Sequence, residues 1–462
     1  MDAIIGPQWS TEAKFVISLG KTAQVPIISI SATSPSLSPT QNPFFIMTCL
    51  DDYSQIRPIT SIVQAFGWRQ VIVIYEDTEY GNGLIPYLTD SFQQIDTRVV
   101  YRSIISPSAS SKHELKRKIS KELDKIKEKE TKVLVVHMTA YLGSQFFKLA
   151  KQEGMMSKEY VWIVTDGLST LLDPMDKNAT DSMEGVLGVR PYVPITKRLK
   201  ELETKMKLSG LNLFGLWAYD TIWALAKAVE LVSHDVNNSN GAGSSRQTSL
   251  NSRNRGRDQE VRLRVPESGP WILKKIQTSR FEGLSGEFRL SRGQLQVEKF
   301  EIINVKRKTG ETVIGYWQPK KGICGDLGEN NISQFKCSSS MDELKAKIIW
   351  PGNYSNKLVP HPKGWVIPVS GKKLKIGVPG GPAAFEKFVI IKWDPITLKV
   401  TDISGYAYDI FDAALEKLPF EVPHEFFAYV DASGQNNGTY DDLLYQIKLK
   451  VHTTHIYISF TR

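Results

Sequence analysis

Val133 to Val164 reads VLVVHMTAYLGSQFFKLAKQEGMMSKEYVWIV. Four apolar residues and His137 open it, a run with apolar residues at helical spacing follows from Leu142 to Gly154, and a second apolar run closes it at 160–164. That is one strand, helix, strand unit. Neither strand alternates polar with apolar residues, so both suit a position covered on two faces, as in a parallel sheet flanked by helices. The same rhythm extends outward through AII (3–5), VPIISI (25–30) and VIVIY (71–75). Helices are expected at 11–20, 53–66, 83–94, 111–130, 142–154, 196–209 and 214–232. In 111–130, Ser111 and Glu114 form a capping-box pattern, and Leu115, Ile119, Leu123 and Ile126 recur on one face.

From 280 to 317 the pattern shifts to shorter, more polar strand-like runs, FEGLSGEFRL, VEKFEIINV and TVIGYW. These suit a region that closes the α/β units, not another repeat of them. A Pro, Gly, Lys and Trp-rich stretch over 350–373 marks a boundary. Beyond it a new α/β segment is expected: a strand at 374–378, a helix at 408–418, a strand near 420–426 and a helix from Tyr440.

The chain has 462 residues, 41% apolar and 23% charged, enough for two or three domains with cores. Its formal charge of +9 comes largely from 112–132, the wet face of the amphipathic helix, and from the Arg-rich 246–264. The surrounding NNSNGAGSSRQTSLNSRNRGR reads as a flexible excursion, so 237–264 is expected to form no packed structure. Neither stretch carries stacking aromatics or a reading motif, which argues against nucleic acid as a partner. Nothing approaches the roughly 20 apolar residues of a membrane helix, and the amino terminus lacks a signal-peptide pattern. Three cysteines are too few for a disulfide scaffold. A Cys324–Cys337 bridge is possible, with Cys49 left odd. Five sequons, at Asn178, Asn237, Asn331, Asn353 and Asn437, are glycosylation candidates.

Chemistry-bearing residues collect at the carboxyl ends of the expected strands, where open α/β sheets hold ligands. In AIIGPQWST a strand turns through Gly6 and Pro7 and a helix opens near Ser10, presenting free N–H groups and a hydroxyl that suit a carboxylate. The next strand ends in SISATSPSLSP, with Ser31 and Thr33. Asp166, in YVWIVTDG, could meet an ammonium group at the same edge. Plainer readings exist for each: Ser10 as an N-cap, 31–39 as a loop, Asp166 as an Asx turn with Gly167. Tyr80 to Gly83, YGNG, lacks the third glycine of a dinucleotide fingerprint and reads as a helix-opening turn. Hydrolase, zinc-protease, phosphate-loop, EF-hand and kinase signatures are missing, His452 and His455 alone do not make a metal site, and no cofactor is expected. An enzyme is the least favoured class.

AIIGPQ, QVPIISISATSPSLSPTQNPFF, GWRQVIVIYEDTEYGNG and GMMSKEYVWIVTDGLS together resemble the amino-terminal domain of plant glutamate-receptor-like proteins. IIWPGN with PKGWVIPVSGKKLKIGVP resembles that family's junction between extracellular domains, and GYAYDIFDAALEKLPFEVPHEF the opening of its agonist-binding domain. The resemblance covers residues 1 to about 450. It implies an α/β fold: a bilobed, periplasmic-binding-protein-like clamshell with parallel sheets, then an incomplete second α/β clamshell. The implied limits are 1–340 for the first domain, without its leading βα units, 341–371 for a linker, 372–450 for the start of the second domain and 451–462 for an unrelated tail. By the same resemblance Ser10 holds a ligand carboxylate, Ser31 and Thr33 contact carboxylate and amine, and Asp166 helps hold the amine. Trp9 departs from the pattern, since a small residue is usual there. The implied function is the ligand-binding ectodomain of a ligand-gated cation channel, on the extracellular side of the plasma membrane. A small amino acid and other receptor subunits are the implied partners. The alternative is a soluble amino-acid-binding or dominant-interfering fragment. A half-built second clamshell should leave Ile410, Phe411, Ala414 and Leu418 poorly packed.

Overall fold

The computed structural model describes residues 2–206, 212–240, 268–297, 299–307, 310–325, 342–352, 361–366, 373–380, 388–418, 420–431, 433–449 and 454–455. Its first sheet begins with three short parallel strands, β1 (Ile4–Ile5), β2 (Ile27–Ser29) and β3 (Phe45–Met47). Its second is built on β4 (Gln70–Glu76), β5 (Arg98–Ile105), β6 (Val133–His137), β7 (Val161–Val164) and β8 (Leu187–Pro191), in the parallel order β5, β4, β6, β7, β8. The order reverses at β4: the chain steps to β5 on one side, then returns to β6 on the other. That reversal opens a crevice at the strands' carboxyl ends.

The polar strands do close the fold, and they close both sheets. β9 (Arg280–Glu282), β10 (Glu287–Ser291) and β11 (Gln294–Leu295) extend the first sheet through a β11–β3 pairing, and β12 (Phe300–Lys306), β13 (Gly310–Gln318) and β14 (Gly322–Cys324) extend the second through β12–β8. The chain thus passes between lobes near 48–55, between β8 and the helix Leu213–Asn240, and near 296–299. This is a bilobed α/β clamshell.

Helices cover the sheets as their patterns dictate. α1 (Ser10–Ala23) sits on the first lobe; α2 (Ile56–Ala65), α3 (Glu79–Gln94), α4 (Lys112–Lys127) and α5 (Ala140–Gln152) sit on the second. In α4 Leu115, Ile119, Leu123 and Ile126 are all buried against β4 and β6, and Ser111 accepts the Glu114 N–H at 3.2 Å. The box is not reciprocal, because the Glu114 carboxylate takes the Ser110 N–H at 2.9 Å. α3 begins four residues before the expected start: Thr78 is its cap, so YGNG forms the first turn and not a preceding one. The helix at 213 runs through Asn240, past the expected 232 and into the stretch read as unpacked; 241–264 lies outside the described residues.

Part of the boundary stretch packs on the second lobe. Trp350 and Ile348 are buried beside Phe66 and Trp68, with Trp350 edge-on to Phe66 at 5.5 Å. Residues 361–366 then run as a strap: the Trp68 indole donates to Pro362 O at 2.9 Å, Lys132 N–H to Gly364 O at 2.9 Å, and Trp365 pairs with Thr131. On its far side Trp365 O accepts the Glu421 N–H at 2.8 Å. The later segment holds β15 (Leu374–Pro379) parallel to a strand at His424–Tyr429, an unanticipated hairpin of Ile390–Trp393 with Val400–Ser404, and a helix at Tyr406–Lys417. Its core is small: Ile376, Val378 and Ala407 are buried, Phe411 partly so, and Ile410 and Ala414 are exposed. Thr454–His455, in the tail expected to be unrelated, pair with β15.

Cys49 is buried and unpaired and Cys324 is disulfide-bonded; Cys337 lies outside the described residues. Asn178 and Asn437 are exposed, Asn237 falls within the Leu213–Asn240 helix, and Asn331 and Asn353 are outside the described residues. Among the described residues no helix is long and apolar enough to cross a membrane.

Candidate functional site

Between the lobes lies a cavity of about 530 Å³, within the roughly 300–1,000 Å³ range of small-molecule sites. Ser10, Ser31, Thr33 and Asp166 all line it. They arrive from three strand ends, two in the first lobe and one in the second, because parallel strands send all their carboxyl ends to one edge.

Ser10 opens α1. The cap position itself is Trp9, whose side chain makes no capping bond; its carbonyl takes the Glu12 N–H at 3.2 Å, which leaves the Ser10 and Thr11 N–H groups of the first turn without a backbone acceptor. The buried Ser10 hydroxyl accepts the Ser34 N–H at 3.4 Å. Ser31 donates its hydroxyl to Gln8 O at 3.0 Å, which ties the loop after β2 to the loop after β1.

The deeper wall is acidic. Thr33 donates to Asp52 Oδ2 at 3.0 Å; Gln55 Nε2 donates to Asp52 Oδ1 at 3.2 Å and to Asp166 Oδ1 at 2.7 Å; Asp166 N–H returns to Gln55 Oε1 at 2.8 Å. Asp52 is fully buried and Asp166 nearly so. Burial raises both carboxyls, Asp166 to about 6 and Asp52 well above the carboxylate range, the latter also through repulsion by Asp166. Among the described residues no Lys, Arg or His lines the cavity. A buried acid at the wall, backed by a second and with no described cation beside it, gains by receiving one.

Tyr80 and Gly167 in the lining, and His137, Asp52 and Gln55 behind it, carried no signal that the sequence reading used. Tyr80, on the first turn of α3, points its buried hydroxyl where it finds no hydrogen-bond partner among the described residues; the neighbouring Thr165 hydroxyl engages His137 Nδ1 at 3.0 Å. A Cβ on Gly167 would stand 2.2 Å from that hydroxyl, so glycine is what lets Tyr80 reach the cavity floor. His137, buried under the Tyr80 ring at 4.2 Å, is held neutral, its pKa lowered to about 4 by burial. Asp52 and Gln55 follow β3, a strand the periodicity did not flag. An acid at that strand's carboxyl end is the same signal that singled out Asp166.

A clasp closes one side of the cleft. Lys14 of α1 meets Glu79 of α3 at 2.8 Å, Ser36 donates to Glu79 at 2.5 Å, and Ser34 donates to Glu79 O at 3.0 Å. A Cβ on Gly83 would come within 2.0 Å of Ser34 Oγ.

Residues 1–308 match the family model for the receptor family ligand binding region. The chain belongs to that family. Its relatives place it among plant glutamate-receptor-like proteins. It is 40% identical over 455 residues to glutamate receptor 2.6 of Arabidopsis thaliana, covering 97% of this chain and 45% of that protein. It is 39% identical over 453 residues to glutamate receptor 2.3 and 38% identical over 452 to glutamate receptor 2.1, both from the same plant, covering 97% of this chain in each case and 48% and 47% of them. The receptor-family chain therefore spans about half the length of these relatives. The names they carry are those of receptors and not of enzymes.

Proposed function

We propose that this clamshell is the amino-acid-binding part of the extracellular region of a plant glutamate-receptor-like, ligand-gated cation channel, which assembles with other receptor subunits in the plasma membrane. The observation that carries the binding half is the convergence on one interlobe cavity of a helix amino terminus with Ser10 and the buried acid Asp166, backed by Asp52 through Gln55, with no cation among the described lining residues. An α-amino acid presents the complementary pair of charges: a carboxylate for the Ser10 hydroxyl and the α1 N–H groups, and an ammonium for Thr33 Oγ1, the Ser31 carbonyl and Asp166. The channel half rests on the relatives' receptor names and the family match.

Differential scanning of the purified chain with a panel of amino acids at millimolar concentration tests the binding half. The reading expects at least one to raise the melting temperature, since a ligand at about 100 times its Kd adds about 2.7 kcal/mol to folded-state stability. No shift with any of them would contradict it. For the channel half, voltage clamp of cells expressing the full-length receptor should show an amino-acid-evoked cation current; its absence across that panel would remove that part.

A further inference from the structure

The walls of the cavity away from the acid pair are apolar and aromatic. Ile5 comes from the end of β1 and Pro7 from the loop after it, Trp9 from the cap of α1, Tyr141 from the first turn of α5, Leu171 from the segment after β7, and Phe214 from the helix beginning at Leu213. Trp9 and Tyr141 line the cavity and are 52% and 61% exposed, though Tyr141 also borders a second, lysine-bearing pocket with Lys112 and Lys148. Their exposed area is what an occupant would cover.

Charge decides the rest. A zwitterionic head satisfies the helix terminus and the acid pair together. A second carboxylate on the side chain would enter a wall with no Lys, Arg or His among its described residues, within a cavity already holding Asp166, and would lose its water without gaining a cation there. A bulky uncharged ring would instead stack on the exposed aromatics and drive water from them.

Resting on the amino-acid-binding reading, we infer that the cleft is specific for an α-amino acid with a bulky uncharged aromatic side chain, that Trp9 and Tyr141 set this preference, and that dicarboxylic amino acids are rejected. Glutamate is thus a poor ligand for this clamshell, whatever the relatives' names say.

Titration calorimetry of the full chain with phenylalanine, alanine and glutamate tests this. Phenylalanine should bind roughly tenfold or more tightly than alanine, and glutamate at least roughly tenfold more weakly than phenylalanine. Trp9→Ala with Tyr141→Ala should reduce the phenylalanine to alanine affinity ratio several-fold; both side chains are exposed, so the fold should tolerate their loss. Leu171→Lys supplies the absent cation and should move the ratio toward glutamate. Alanine binding with no gain for phenylalanine, or glutamate equal to phenylalanine, would overturn the specificity while leaving amino-acid binding intact. If none of the three binds, the binding reading and this inference fall together.

Discussion

Under the proposed reading Asp166 links the stability of the fold to ligand binding. Its carboxyl is raised from 3.8 to about 6 by burial, so the folded chain holds that proton more tightly than the unfolded chain. The sign follows: Asp166 favours the ligand-free fold most below pH 3.8, and this contribution is lost as pH rises from 3.8 through about 6. Asp166→Asn should therefore raise the melting temperature at pH 7.5 and do little at pH 3.5, which thermal unfolding at the two pH values would show. Ligand affinity should run the other way. An ammonium wants the charged carboxylate, so affinity should fall by up to about tenfold per pH unit below about 6. A flat affinity between pH 5 and 7.5 would separate Asp166 from the ammonium. Asp166 was legible as a candidate because it ends an uninterrupted apolar strand. Tyr80 was not. Its role depends on the close approach that Gly167 allows and on α3 starting at Glu79, neither of which periodicity encodes.

Elements buried on both faces were the legible ones. β6 occupies 133–137 as read, and β7 begins one residue inside its expected run, because their apolar residues lie in a sheet covered by helices on both sides. β5 was missed because its side chains alternate in burial at the sheet edge, so RVVYRSII is not uniformly apolar. β3 is apolar but only three residues long, too short to register as a run, and β8 is interrupted by Gly188 and Arg190, so it resembles loop more than strand. α4 was legible from four apolar residues and a cap, and that stripe carries its stability. Ile119→Ala should destabilise the second lobe by about 2–5 kcal/mol, read from denaturant unfolding, whereas the exposed neighbour Lys121→Ala should cost under about 0.5 kcal/mol. The Lys14–Glu79 pair is largely solvent-exposed on its lysine side and is worth about 0–1 kcal/mol to folding. Its place at the rim suggests a different readout: Glu79→Gln should loosen lobe closure, raising the ligand off-rate more than it lowers the melting temperature.

At the scale of the whole molecule the two lobes and the later segment differ in how much they bury. The second lobe alone packs two large clusters on opposite faces of one sheet, while 374–449 has three buried hydrophobic residues in its cluster and leaves Ile410, Leu444 and Tyr445 exposed. Amide exchange should therefore be orders of magnitude faster in 374–379 and 424–429 than in 70–76 and 133–137. Equal protection would contradict this account of the packing. The clamshell class was readable from the strand rhythm together with the resemblance. That 342–352 and the strap at 361–366 lie against the second lobe was not, since Trp350 meets Phe66, Pro362 meets Trp68 and Trp365 meets Glu130, all distant in sequence, and none carries a local pattern. The central claim is that the cleft holds an amino-acid head through Asp166, and titration of the chain and of Asp166→Ala with the tightest ligand found tests it most directly. A lost charge-assisted bond at a closed site costs about 1.5–3 kcal/mol, so affinity should drop roughly ten-fold to a hundred-fold in the variant; an unchanged Kd in a folded Asp166→Ala protein would contradict the account.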